Sequence, residues 1–272
     1  MEVKVKTKKQ YKCNNLSGKE WLQNSISIWS NIRKSPEEYR IDHPATFPLA
    51  LVKRLLDSFT NDNDKVVLDP FVGIGSTVIQ ARNQGKRGIG FDIYDSYLEI
   101  ARERLKQIHI FNNESDDYSL IKDNAFYVNK HLENDSVDIV ITSPPYWDIL
   151  NQKRTADGKS IRSYGNNSFD LATISDYNKF MQILSEIFGA VSTVLKKDKY
   201  CIINVMDIRK GPKLYPIHSD LPILLANHGY ELDDIIIWDR SHEYNNLRPL
   251  GYPSVFRINR VHEFILIFIN RR

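Results

Sequence analysis

A short apolar run, Val66-Val67-Leu68, passes without a break into Asp69-Pro70-Phe71-Val72-Gly73-Ile74-Gly75-Ser76, and a helix-like stretch over 76–84 follows, closed by Gly85. A buried strand that enters a glycine-bearing turn and then a helix is the first half of a βαβ unit. This segment therefore commits the chain to a layered α/β architecture. Gly73 and Gly75 allow the backbone of the turn to approach a ligand closely. The spacing is not G-x-G-x-x-G and no G-K-S/T follows, so neither a dinucleotide fingerprint nor a P-loop is supported.

The alternation continues along the chain. Strand character is strongest at 87–92, 118–122, 137–142, 200–206, 232–238 and 261–269. Helical spacing occupies 17–35 after a Ser17 cap, then 44–59, 94–109, 175–196 and 217–228. The pattern predicts a mostly parallel, seven-stranded sheet with helices on both faces, the tail 261–269 entering antiparallel. A chain of 272 residues with 42% hydrophobic and 26% charged residues can build one such domain, with at most a small appendage. The expected organisation is an N-terminal arm and helix over 1–42 and a catalytic domain over 43–270. Two polar, irregular stretches interrupt that domain, 147–174 and 241–259, and loops of this length inside a compact domain usually serve function or are disordered.

Charge and cysteine content exclude several classes. A net charge of +3 permits a polyanionic partner without demanding one. Cys13 and Cys201 are far apart and sit in no CxxC or Cys/His cluster, which argues against structural zinc and a disulfide scaffold, and no metal is expected. The N-terminus shows no apolar signal-peptide core and no apolar stretch is long enough to span a bilayer, so a cytoplasmic protein with no membrane partner is expected.

Chemistry points to Thr142-Ser143-Pro144-Pro145-Tyr146-Trp147 at the end of the fourth strand. A double proline cannot continue a ladder, so the chain turns sharply there. The turn offers the Ser143 hydroxyl and the Pro144 carbonyl as acceptors for an exocyclic –NH₂, and Tyr146 as a flat face for a base. A proline-rich ligand is the alternative, but those sit in disordered segments. With a strand order of 3-2-1-4-5, strands one and four flank the crevice at the carboxyl edge, and Asp69–Ser76 faces Ser143–Tyr146. Asp92, at the end of the second strand, could accept the hydroxyls of a ribose or cap a helix. Asp123-Asn124, after the third, could contact an adenine ring or form a simple turn.

Taken together, Asp69-Pro70-Phe71-x-Gly73-x-Gly75-Ser76 and Thr142-Ser143-Pro144-Pro145-Tyr146-Trp147 resemble the cofactor and catalytic motifs of the N4-cytosine/N6-adenine DNA methyltransferases. His43-Pro44-Ala45-Thr46-Phe47-Pro48 is similar to that family's methionine-side cofactor motif, and Asp92 to its ribose-binding acid. Ile236-Ile237-Trp238-Asp239-Arg240 and His262-Glu263-Phe264-Ile265-Leu266 resemble its closing motifs. The likeness runs over about 43–270, cofactor half first, in a permuted arrangement of the family. It implies a Rossmann-like fold that uses S-adenosylmethionine. Pro44, Phe47, Asp69, Pro70, Phe71, Gly73, Gly75, Ser76, Asp92, Asp123 and Asn124 would hold this cofactor, while Ser143, Pro144, Pro145 and Tyr146 would hold the target amine.

In the family, Ser before Pro-Pro-Tyr goes mostly with N4 of cytosine, and Asp or Asn mostly with N6 of adenine. Ser143 thus favours cytosine, with adenine the alternative. An RNA or protein amide methyltransferase, or a non-catalytic DNA-binding module, are further alternatives. Methylation at cytosine C5 is rejected, because it needs a cysteine nucleophile that neither Cys13 nor Cys201 supplies. The implied partner is double-stranded DNA with the target base flipped. Trp147, Lys153, Arg154, Lys159, Arg162, Arg248 and Arg257 are the expected DNA contacts, with a homodimer or a cognate restriction or specificity subunit as further partners.

Overall fold

The computed structural model describes residues 12–40, 47–109, 117–148, 170–244 and 247–272. The chain opens with α1 (Gly18–Asn24), whose start is a capping box: the Glu20 backbone N–H donates to Ser17 Oγ, and the Glu20 carboxylate accepts from the Ser17 backbone N–H. It continues through β1 (Ile28–Trp29), α2 (Pro36–Arg40), α3 (Leu49–Phe59), β2 (Val66–Asp69), α4 (Ser76–Asn83), β3 (Arg87–Asp92), α5 (Asp95–His109) and β4 (Tyr118–Lys122). The second half holds β5 (Val137–Thr142), α6 (Tyr177–Val194), β6 (Leu195–Val205), β7 (Ile208–Lys210), β8 (Lys213–Tyr215), α7 (Ile217–Ala226), β9 (Tyr230–Asp239) and β10 (His262–Asn270).

Eight strands pair in the order β1-β9-β10-β6-β5-β2-β3-β4, while β7 and β8 form a separate hairpin. β2, β3, β4, β5 and β6 run parallel to one another, and β10 is antiparallel to both β6 and β9. This is the expected Rossmann-like sheet with its antiparallel closing strand in place, but it has eight strands and not the expected seven, because β1 adds to the β9 edge. The 3-2-1-4-5 order is also observed, with β2 beside β5. Winding reverses between these two strands, which opens a crevice at their carboxyl ends.

Side-chain alternation explains why both faces are covered. Ile139, Ile141, Ile202, Ile265 and Ile267 lie in one core with Leu51, Val52, Leu55 and Leu56 of α3. Their strand neighbours Val140, Cys201, Ile203, Leu266 and Phe268 lie in the other core, with Phe180, Leu184, Phe188 and Val191 of α6 and Leu221 and Leu225 of α7. A strand buried on both sides reads as a near-continuous apolar run, and 137–142 and 200–205 do so except at Asp138, Thr142 and Asn204, whose buried polar groups are each hydrogen-bonded. Burial also pushes the Cys201 thiol up, in keeping with an inert core position.

Two elements depart from the sequence reading. The helix expected over 17–35 ends at Asn24, and Ile28–Trp29 instead pairs in parallel with Ile237 and Trp238 of β9. The Ile237 N–H donates to the Ser27 carbonyl at 2.8 Å. An open sheet edge presents unpaired backbone groups, and satisfying them outweighs a helical spacing that would have left them bare. Trp29 and Ile32 are thereby buried against the α3 face. The hairpin β7–β8 was also not foreseen.

Candidate active site

Two turns form the carboxyl rim of the sheet, one after β2 and one after β5, and a single carboxylate ties them together. Asp69, buried at the end of β2, accepts hydrogen bonds from the Phe71 N–H at 3.0 Å and the Thr77 hydroxyl at 2.6 Å. It also accepts from the Thr142 hydroxyl, the last residue of β5, at 2.6 Å. The glycine-bearing turn and the proline turn are therefore held in one register by Asp69. Burial raises the pKa of this acid to about 6, against the lowering effect of its three donors.

The glycine turn is anchored on its other side by β3. The Val72 N–H donates to the Phe91 carbonyl at 2.8 Å, and the Gly73 N–H to Asp92 Oδ2 at 3.0 Å. The other oxygen of Asp92 accepts from the Tyr94 N–H at 2.8 Å, so each oxygen keeps a lone pair for a ligand. Burial raises the Asp92 pKa to about 7, and the nearby Asp69 and Asp170 carboxylates add to the rise.

Between the turns lies a cleft of about 950 Å³, its open mouth included. Phe47, Asp69, Pro70, Phe71, Gly73, Ser76, Asp92, Asp123 and Asn124 line it, as do Ser143, Pro144, Pro145 and Tyr146. Gly73 and Tyr146 thus share one cavity. Gly75 does not line it. Gly75 sits at φ +85° as the N-cap of α4, and a Cβ there would lie 2.8 Å from Ala101 Cβ, so this glycine serves a left-handed cap and the packing of α4 on α5. Pro44 lies outside the described residues. Asp123 accepts a hydrogen bond from the Asn124 N–H at 2.8 Å, and its other oxygen lies 2.7 Å from His131 Nε2. Burial works to raise its pKa, but these partners prevail and hold it below the usual carboxylate range. Asn124 caps the 3₁₀ turn Ala125–Lys130 by accepting from the Phe126 N–H at 2.9 Å.

Several lining residues were not read from the sequence. Ile93, Tyr94 and Tyr97 follow Asp92 directly, and their place after a strand-end acid was the available signal. Asp170 lies at the end of the segment assigned to DNA contact. It accepts from the Tyr94 hydroxyl at 2.9 Å and faces the cleft with Leu171, and nothing in its local sequence marks that role.

Behind the proline turn is a polar network whose link to Tyr146 was not read from the sequence, although Arg240 and Glu263 lie in the segments likened to the closing motifs. The Tyr146 and Ser143 hydroxyls are 2.9 Å apart. The Tyr146 hydroxyl donates to Glu263 at 2.8 Å and accepts from Asn204 Nδ2 at 2.6 Å. Asn204 and Glu263 are bonded to each other, and Glu263 pairs with Arg240, which also pairs with Glu243. β6 supplies Asn204 and β10 supplies Glu263, adjacent strands that bring residues far apart in the chain under one ring. Burial and the Glu263 charge push the Tyr146 phenol well above its ordinary value, so the hydroxyl stays protonated and the ring is fixed.

The expected DNA contacts divide. Trp147 is 2% exposed at φ +53°, packed against Tyr177 and Tyr215, with Lys210 Nζ 2.8 Å from its ring centroid. Its assignment as a DNA contact is corrected to a packing role, because an indole enclosed by two tyrosines and a lysine is closed to a duplex. Lys153, Arg154, Lys159 and Arg162 lie outside the described residues. Arg248 is exposed and Arg257 half-buried, both on the connection before β10.

The N6/N4 DNA methylase family model matches residues 1–103 and 137–271. Type II methyltransferase M.ScaI of Streptomyces caespitosus is 38% identical over 101 residues, which is 35% of this chain and 31% of that protein. Type II methyltransferase M2.DpnII of Streptococcus pneumoniae is 39% identical over 80 residues, 29% of this chain and 30% of that one. The chain thus spans about 30% of the length of these curated relatives. Among solved structures, a precorrin-6y C5,15-methyltransferase from Geobacter metallireducens GS-15 aligns over 95% of this chain and 100% of that chain, at 15% identity and a TM-score of 0.48.

Proposed function

Because this chain belongs to the N6/N4 DNA methylase family, we propose that it methylates an exocyclic amino group in DNA, N4 of cytosine, with S-adenosylmethionine as the methyl donor. The observation that carries this reading is the 2.6 Å bond from Thr142 to Asp69, which fastens the glycine turn and the Ser143–Tyr146 turn around one cleft. A donor held by the first turn and an acceptor held by the second meet there.

The charge of the cleft supports the choice of donor. Its described lining contains four carboxylates, Asp69, Asp92, Asp123 and Asp170, and no Lys, Arg or His. Such a surface repels the phosphates of a nucleotide or dinucleotide and suits a nucleoside that carries positive charge. S-adenosylmethionine is such a molecule, and when bound it supplies a methyl group on a sulfonium. Asp92 would accept the ribose hydroxyls with its two remaining lone pairs, and Phe47 and Phe71 offer apolar walls.

At the other turn, the Ser143 hydroxyl and the Pro144 carbonyl accept the two N–H groups of the target amine. Those bonds favour the pyramidal nitrogen, whose lone pair is free of the ring, so Ser143 need not act as a strong base. The Tyr146 ring, fixed through its hydroxyl by Glu263 and Asn204, stacks on the base. Positioning then does most of the work. A base inside a duplex cannot reach this cleft, so it must first be flipped. Ser143, a neutral acceptor in place of an acidic one, favours cytosine.

Nucleoside mass spectrometry of unmethylated genomic DNA incubated with the protein and S-adenosylmethionine tests the reading. N4-methylcytosine is expected. N6-methyladenine in its place would move the target to adenine, and no methylated nucleoside at all would overturn the activity. Ser143→Ala should lower transfer about 100-fold while donor binding by calorimetry is kept.

A further inference from the structure

Between residues 247 and 258 the chain leaves Leu247, Tyr252, Val255, Phe256 and Ile258 exposed. Tyr252 is 79% exposed and Phe256 91%. Single exposed apolar residues scattered over a surface are ordinary, but five within twelve positions concentrate on one loop, and concentrations of exposed apolar side chains mark interaction surfaces. The segment has internal order. Gly251 adopts φ +79°, the Val255 N–H donates to the Gly251 carbonyl at 2.8 Å, and Asn259 Nδ2 donates to the Arg248 carbonyl at 2.9 Å. Phe256 is therefore presented to solvent by a hydrogen-bonded loop.

The surroundings of this tip are basic. Arg248, Arg257 and Arg260 lie on the same loop, and the guanidinium of Arg209 on β7 feels Arg257 and Arg260 as like charges. None of these four arginines pairs with a carboxylate of the described residues. Uncompensated cations around an apolar point fit a polyanion with an apolar interior, which describes a base-paired duplex. The loop also stands beside the target-amine turn. Arg209 adjoins Lys210, whose ammonium lies over the Trp147 ring, and Arg260 lies three residues before Glu263, which holds the Tyr146 hydroxyl.

We propose that Phe256 is a wedge that enters the base stack of duplex DNA next to the target, while Arg248, Arg257 and Arg260 hold the flanking phosphates. Apolar side chains inserted between base steps are a known way to unstack a duplex. Here the ring would occupy the gap left when the target base turns into the cleft, so the flipped state is held open by stacking. The inference rests on the DNA methyltransferase reading above.

Transfer of labelled methyl groups to native genomic DNA and to the same DNA heat-denatured tests it. Phe256→Ala is expected to lower the rate on duplex at least tenfold and to leave the rate on single strands within twofold of the unmodified protein, because single strands need no unstacking. Phe256→Trp, which keeps a flat ring, should restore the duplex rate. An unchanged duplex rate for Phe256→Ala, or an equal fall on both substrates, would overturn the wedge. Failure of the unmodified protein on both DNAs would instead strike at the methyltransferase reading beneath it.

Discussion

Donor binding should be controlled by the protonation of Asp92. In the open cleft this acid titrates at about 7, mainly because it is buried and secondarily because Asp69 and Asp170 are near. Only its ionised form has the lone pairs to accept two ribose hydroxyls while it also holds the Gly73 and Tyr94 N–H groups. A proton on Asp92 therefore competes with the ligand. Affinity should fall about tenfold between pH 8 and pH 6 and about a hundredfold by pH 5, since each pH unit below the pKa is worth about 1.4 kcal/mol. The same shift acts on the free protein. An acid whose folded pKa lies above its unfolded value of 3.8 contributes stability below that value, and this is lost as pH rises through about 7. Donor binding should consequently raise Tm more at pH 8 than at pH 6. Asp92→Asn replaces the charged acceptor, so binding at pH 8 should weaken by about 2 kcal/mol, and the profile should lose its slope near 7. Isothermal calorimetry with S-adenosylmethionine at half-unit steps from pH 5 to 8.5 provides the measurement. A wild-type Kd that is flat across pH 6 to 8, or an Asn variant with the wild-type slope, would refute the role given to Asp92.

Two further expectations follow from the rim. Tyr146→Phe removes a hydroxyl that joins Ser143, Asn204 and Glu263 and leaves the last two, both buried, short of a partner. It should cost about 1–3 kcal/mol by urea denaturation, and the transfer rate should fall more than donor affinity. Gly75→Ala forces a side chain into the left-handed region and against Ala101, so about 2 kcal/mol or more and several degrees of Tm should be lost by calorimetry. Because Gly75 does not line the cleft, the folded fraction of that variant should bind donor with unchanged Kd.

What could be read from the linear chain was whatever depends on neighbours in sequence. The strand-to-glycine-turn junction at 66–76, the double proline after 137–142 and the mostly apolar runs each follow from local backbone chemistry and periodicity. The cleft lining at Asp69, Asp92 and Ser143–Tyr146 was legible for the same reason, since strand ends and turns announce themselves. Pairing across strands decided the rest. Ile28–Trp29 left its helical pattern because the edge of β9 needed hydrogen bonds. Trp147 went inward because Tyr177, Tyr215 and Lys210 arrive from distant segments to enclose it. Asn204 and Glu263 meet the Tyr146 hydroxyl only because β6 and β10 lie side by side, with Arg240 brought to Glu263 by the neighbouring β9, and contacts of Tyr146 across more than fifty residues leave no trace in local spacing.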